Sequence, residues 1–232
     1  MISVCMATFN GEKYIKEQID SILVQLNNDD ELIISDDGST DKTIEIINSY
    51  NDRRIKLLLF NSKCYTKNFE NALLNAKGDY IFLSDQDDIW LPGKVDACIN
   101  TLQKHDFVVT DANVIDQNMN IIIESYFKFC KVKKGFLYNV MFTRYIGACM
   151  AFRKEVLSSI LPIPKNDKYI AHDYWIACVC EKKYKVELIE TPYLLYRRHD
   201  GNASAGVFGK SKLSLLQKIM KRIYILNKLR YI

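Results

Sequence analysis

Four times in its first 104 residues the chain passes from a short, β-branched apolar run into a longer amphipathic one: 2–9 then 14–25, 31–35 then 40–50, 55–60 then 66–76, and 80–83 then 94–104. Strands alternating with helical patterns of about 10–15 residues pair in parallel and place helices on both faces of the sheet. Turn and capping residues stand at the strand-to-helix joints, as Asn10-Gly11, Asp37-Gly38-Ser39-Thr40-Asp41 and Pro92-Gly93. Ligands of such sheets bind beyond the carboxyl ends of the strands. The same joints hold the most polar residues.

After residue 110 the alternation stops. Residues 112–123 read as a hairpin around Gln117-Asn118-Met119-Asn120, 135–144 as a helix, 146–152 as a strand, 161–164 as a Pro-bounded loop, and 185–197 as a strand region, with a helix starting near His172. The expected organisation is an α/β half over 1–110, an α+β half over 111–205 of the same body, and a basic segment over 206–232. With 48% apolar residues among 232 and only 9 Gly, the chain has material for a substantial core and little for long disorder. No run approaches the ~18 apolar residues of a membrane span, and Met1-Ile2-Ser3-Val4 lacks a charged n-region, so a cytoplasmic location is expected, peripheral on the inner membrane if the basic segment binds lipid. Seven cysteines without a CxxC pair read as free thiols. Cys178 and Cys180, two apart on a helix, do not face each other as zinc ligands would.

Seven of the 32 basic residues and none of the 28 acidic ones follow Asp200, which leaves the first 200 residues at net −3. That balance gives no reason to expect a nucleic-acid partner. In the basic segment Leu216, Ile219, Met220, Ile223 and Leu226 form one helical stripe, with Lys218, Lys221 and Lys228 on another side. Such a helix can dock on the body, pair with another subunit or lie on an anionic membrane, and the membrane is the favoured reading.

The strongest chemical signal is Tyr80 to Pro92, a buried strand that ends in Ser84-Asp85-Gln86-Asp87-Asp88-Ile89-Trp90. Asp85 and Asp87 at a strand end can bind a divalent cation that phosphate oxygens also hold. The plainer alternative is a solvated acidic turn. A second set, Ile33 to Asp41, again ends a strand in carboxylates, one of which can accept from a base N–H or a ribose hydroxyl, while Thr40 suits a helix cap. Met6-Ala7-Thr8-Phe9-Asn10-Gly11 closes the first strand. Neither GxGxxG nor GxxxxGK[ST] occurs.

In order and spacing, Ala7 to Gly11, Ser35 to Asp41 and Phe82 to Pro92 resemble the family 2 glycosyltransferases, as do Gly147 to Arg153, His172-Asp173-Tyr174-Trp175 and Tyr196-Arg197-Arg198-His199. The resemblance implies the α/β GT-A fold, a Rossmann-like, mostly parallel sheet flanked by helices and fused to an α+β acceptor half. The His-Asp-Tyr-Trp and Tyr-Arg-Arg-His elements resemble the bacterial rhamnosyltransferase-like subset of O-antigen and capsule synthesis. By that resemblance Thr8 and Asn10 line the base and ribose pocket, Asp37 contacts the nucleobase, Lys67 is a basic donor contact, and Asp85 approaches the ribose and diphosphate. Asp87 is then the main ligand of Mg²⁺ or Mn²⁺, and His199 a second metal or diphosphate contact. The donor is a dTDP- or UDP-sugar, with L-rhamnose a candidate sugar, and the acceptor a saccharide or lipid-linked saccharide.

By the same resemblance Asp173 is the expected general base of an inverting transfer, which needs a carboxylate on the face opposite the leaving nucleotide. Its plainer role is a helix N-cap. Trp175, beside it, is the acceptor-stacking candidate, with burial in the core as the alternative. Two competing functions are a haloacid-dehalogenase-like phosphohydrolase, which also ends a strand in Asp-x-Asp, and a non-catalytic sugar-binding relative of the fold. The first lacks its expected hydroxyl residue, since Ile89 stands two places after Asp87.

Overall fold

Continuous burial marks the first strands. In β1 (Ile2–Thr8) and β2 (Glu31–Asp36) almost every residue is covered, as expected where helices close both faces of a parallel sheet. β3 (Ile55–Leu59) and β4 (Tyr80–Ser84) complete a parallel set in the order β3-β2-β1-β4, with Thr8 opposite Asp36 and Met6 opposite Ser84. The carboxyl ends of β1, β2 and β4 therefore emerge along one edge. α1 (Ile15–Leu23), α2 (Thr43–Asn48), α3 (Tyr65–Leu74) and α4 (Lys94–Leu102) follow the strands in turn. The computed structural model describes residues 1–142, 144–165, 170–199, 214–230 and 232.

Beyond β5 (Ile89–Trp90) the pairing changes sense. β8 (Met150–Arg153) runs antiparallel to both β4 and β6 (Phe107–Ile115), while β6 lies parallel to β9 (Val186–Arg197) and antiparallel to the short β7 (Ile121–Ile123). All nine strands join one sheet of order β3-β2-β1-β4-β8-β6-β9-β5, with β7 beside β6. Residue 110 falls inside β6, and the β6–β9 register slips between Thr110 and Asn113. The far end of β9 thereby returns to β5, the strand just past the acidic end of β4.

The remaining helices are α5 (Tyr126–Cys130), α6 (Phe136–Met141), α7 (Leu157–Ile160), α8 (His172–Lys183) and α9 (Leu215–Leu229), with 3₁₀ turns at Gly147–Cys149 and Lys154–Val156. The expected strand over 146–152 thus begins later, after a 3₁₀ turn. Tyr174 to Cys180 are buried without interruption, so α8 is covered on all sides. Its N-cap is Ala171 and not Asp173, and the N-cap position of α2 is Lys42 and not Thr40, with Asp41 accepting from the Thr43 N–H instead. Ser214 and Gln217 form a reciprocal capping box at the start of α9. All seven cysteines are free thiols, five of them buried. No helix among the described residues is long and apolar enough to cross a membrane.

Candidate active site

At the ends of β1 and β2 the polar residues are tied down by main-chain amides. Asp36 accepts from the Gly38 and Ser39 N–H groups at 3.1 and 2.8 Å and from the Thr8 hydroxyl at 3.3 Å, in a turn where Gly38 takes φ of 85°. Asp37 accepts from three successive N–H groups of another loop, those of Ser62, Lys63 and Cys64, at 2.5, 3.0 and 2.8 Å. Asn10 accepts from the Thr40 N–H at 2.9 Å and donates its own N–H to the Ser39 hydroxyl. The structure thus gathers Thr8, Asn10 and Asp37 on one rim, Thr8 buried and Asn10 exposed. Lys67 is held elsewhere, in an ion pair with Glu70, whose other oxygen accepts from the Ile163 N–H.

The end of β4 is built differently. Gln86 fastens it to the β1 loop, accepting from the Phe9 N–H at 2.9 Å and donating to the Phe9 carbonyl at 3.0 Å. Arg197, at the end of β9, donates through Nε to the Asp87 carbonyl at 2.8 Å and through its main-chain N–H to Asp88 Oδ1 at 2.9 Å. Its guanidinium also pairs with Glu17 and lies 4.7 Å from the centre of the Tyr14 ring. This anchor sets His199 against Asp87, with Nε2 2.8 Å from Oδ2. Sequence separation hides the meeting, and the Tyr-Arg-Arg-His element was its only trace.

Charge is crowded here. Burial, then Asp87 and Asp173, push the Asp85 carboxyl up to about 7, against an opposing pull from Lys94. Asp88 is pushed well above the carboxylate range by burial and by Asp87 and Asp85, and its Oδ2 has no partner among the described residues. Lys94, fully buried 4.3 Å from the centre of a Trp90 ring, donates to the Ala148 carbonyl at 2.6 Å, and burial pulls its own pKa down. It is an internal cation for the cluster, set at the end of the quoted motif but given no role by it.

Ala148 belongs to the 3₁₀ turn that receives the start of α8. A Cβ on Gly147 would lie 2.8 Å from His172 Nε2 and 3.4 Å from the Asp173 Cβ, so only glycine lets the helix approach this closely. Asp173 accepts from the Tyr174 N–H at 2.6 Å and stands within electrostatic reach of Asp85. His172 stacks on Phe69 at 3.8 Å, and burial pulls its pKa down against the opposing charge of Asp173. From α9, Lys221 lies 4.2 Å from the centre of the Tyr174 ring, its charge favoured by Asp173 and opposed by burial.

Trp175 corrects an expectation. Its indole is 2% exposed and donates to the Ile160 carbonyl at 2.7 Å, so it supports α8 from the core and presents no stacking face at the carboxylates. A cavity of about 540 Å³ reaches Lys67, Trp175, Lys183 and Lys228, and none of Asp85, Asp87 and Asp173 lines it.

A carboxylate-rich strand end and a helix-borne aspartate thus meet at one edge of a mixed α/β sheet. Residues 3–161 match the profile described as Glycosyl transferase family 2, and the chain belongs to that family. The phosphohydrolase alternative falls with this membership. The chain is 31% identical to the uncharacterized glycosyltransferase MJ1057 of Methanocaldococcus jannaschii over 208 residues, 85% of this chain and 70% of that protein. It is 30% identical to the dTDP-rhamnosyl transferase RfbG of Shigella flexneri over 237 residues, 94% of this chain and 80% of that one. Its fold is that of S. aureus TarS 1-349 in complex with UDP-GlcNAc, with TM-score 0.72 and 17% identity over 98% of this chain and 72% of that one. The mannosyltransferase PcManGT from Pyrobaculum calidifontis, in complex with GDP-Man and Mn²⁺, aligns with TM-score 0.62 and 17% identity, covering 98% of this chain and 62% of its own. At such identities the solved structures speak for the GT-A fold alone.

Proposed function

We propose that the chain is an inverting, divalent-cation-dependent glycosyltransferase acting on a dTDP- or UDP-sugar, with L-rhamnose the first sugar to try. The acceptor is a saccharide or lipid-linked saccharide of cell-surface polysaccharide synthesis. The observation that carries this reading is the placement of Asp173 within electrostatic reach of Asp85, beside the Asp87–His199 pair, at the edge where β1, β2 and β4 end. Similarity to a dTDP-rhamnosyl transferase supports the donor class.

Among the described residues no three carboxylate, imidazole or thiol groups already form a metal cage. The residues nevertheless fit a hard cation that completes its shell with donor oxygens: Asp87 and His199 offer an oxygen and a nitrogen 2.8 Å apart, and burial together with neighbouring carboxylates raises the pKa of Asp85 and Asp88, a penalty that a cation's charge would relieve. Mg²⁺ or Mn²⁺ held there supplies positive charge against the departing diphosphate. Asp173 takes the proton of the acceptor hydroxyl. Thr8 and Asn10 border the base and ribose. Asp37 serves the same pocket by fixing the loop at 62–64, and Asp85 faces the ribose and diphosphate. Lys67, paired with Glu70, acts on the donor only if that pair opens. The segment over 206–232 contributes a peripheral membrane contact.

Calorimetry with dTDP-, UDP- and GDP-sugars, with and without Mn²⁺, tests this. Expected are tighter binding of dTDP- or UDP-sugars than of GDP-sugars, dependence on the cation, and loss of both binding and turnover in Asp87→Ala. Full transfer in excess EDTA, or a preference for GDP, overturns it. Tight binding without transfer to any acceptor revives the sugar-binding alternative.

A further inference from the structure

The apolar stripe of α9 does not face the body. Ile225 and Leu229, on the opposite side of the helix, are the residues buried against the core. Lys182 donates to the Leu229 carbonyl and Arg222 to the Met141 carbonyl, so α9 is docked beside α6 and α8. Docked this way, it turns Leu216, Ile219 and Ile223 outward, with Leu216 69% exposed. Arg222 stands at the edge of that stripe, and its bond to Met141 sets the end of α6 against the same edge. There Leu137, at 72% exposed, and Phe142 are also uncovered. Monomeric proteins rarely expose contiguous apolar surface on this scale without a partner.

Basic residues flank α6, where the Lys131 and Lys133 carbonyls accept from Tyr138 and Asn139. Residues 125–154 contain Lys128, Lys131, Lys133 and Lys134 and no aspartate or glutamate, and 201–232 are equally free of acid. Lys128, Lys131, Lys133 and Lys228 are exposed. A twofold dimer through this face would set these lysines against their own copies, because the neighbouring carboxylates are already engaged, Glu181 with Gly135, Asn139 and Tyr145 and Glu187 with Lys134. An anionic bilayer answers both features, because it accepts apolar side chains below its headgroups and attracts the lysines at their level.

We propose that α6 and α9 together form one face that lies on an anionic lipid surface. This extends the membrane contact of the preceding reading from a single helix to a composite surface, and its test is independent of donor chemistry. The full chain is to be sedimented with vesicles of phosphatidylglycerol mixed with phosphatidylcholine, and with phosphatidylcholine alone. Expected is binding to the anionic vesicles that weakens as salt rises. Leu216→Glu with Ile223→Glu, and separately Leu137→Glu with Phe142→Glu, should each lower the partition roughly tenfold or more, since an apolar side chain fully buried is worth ~1.5–3 kcal/mol. All positions are exposed, so melting temperature and dTDP- or UDP-sugar binding in solution should stay put. Loss in the α9 pair alone would overturn the composite face. Absence of vesicle binding at low salt would overturn the membrane, and self-association abolished by these substitutions would assign the face to a second copy.

Discussion

Two acidic strand ends stand side by side on this sheet, and they are built on opposite plans. At the end of β2, Asp36 and Asp37 spend their oxygens on five main-chain amides, which makes them the fixed corner of two loops. At the end of β4, Asp85 and Asp88 are buried with each other's charge for company, and Lys94 only partly offsets it. Hydrogen bonds to an ionised acceptor stabilise a fold, whereas uncompensated buried carboxylates cost stability and mark sites that receive a counter-charge. The first end gives shape, and the second is the end to which the proposed chemistry is assigned.

That contrast can be attacked at three points. The largest effect should come from Asp173→Asn, which can still accept the Tyr174 N–H but cannot take a proton: kcat should fall by about 10²–10⁴-fold with donor affinity and melting temperature kept. Near-normal kcat would move the base elsewhere. Asp37→Ala should do the reverse and act first on stability. Charged hydrogen bonds are worth about 1.5–3 kcal/mol each and do not add fully, so a loss of roughly 2–4 kcal/mol in denaturant unfolding is expected. A stable Asp37→Ala protein that fails only in turnover would erase the distinction between the two ends.

The smallest effect is a slope. With divalent cations removed, folded Asp85 keeps its proton up to about pH 7, while the unfolded chain releases it near 4. Between those values the native state binds more protons than the unfolded one, so stability falls as pH rises through this window. Asp85→Asn should flatten that part of the stability profile, and an unchanged slope would show that the charge crowding lies elsewhere.

Local pattern made the first plan readable. β1 to β4 and their helices follow from continuous apolar runs and turn residues, and the rim of Thr8, Asn10 and Asp37 sits where parallel strands end. The second half resisted for physical reasons. α8 is covered on every side and carries no amphipathic signature, so Trp175 beside a candidate base looked like a sugar platform when it is a core support. The pull of Arg197 on Asp87 and Asp88 depends on a register slip in β9, which no spacing encodes. In the basic segment the apolar stripe was plain, but the side that docks is the one holding Ile225, Leu229 and Lys221.

The two corners also differ in how much chain must be gathered to make them. The contacts described for Thr8, Asn10 and Asp37 close loops of 25 to 30 residues, as between Asp37 and Ser62, Thr8 and Asp36 or Asn10 and Thr40. His199 meets Asp87 across 112 residues, and Arg197 meets Glu17 across 180. Loop closure costs more entropy the longer the loop, and distant pairings come slowly in folding. A chain on its way to the native state is therefore expected to close the contacts between the ends of β1 and β2 before the His199–Asp87 and Arg197–Glu17 pairs, and partial unfolding is expected to release the distant pairs first.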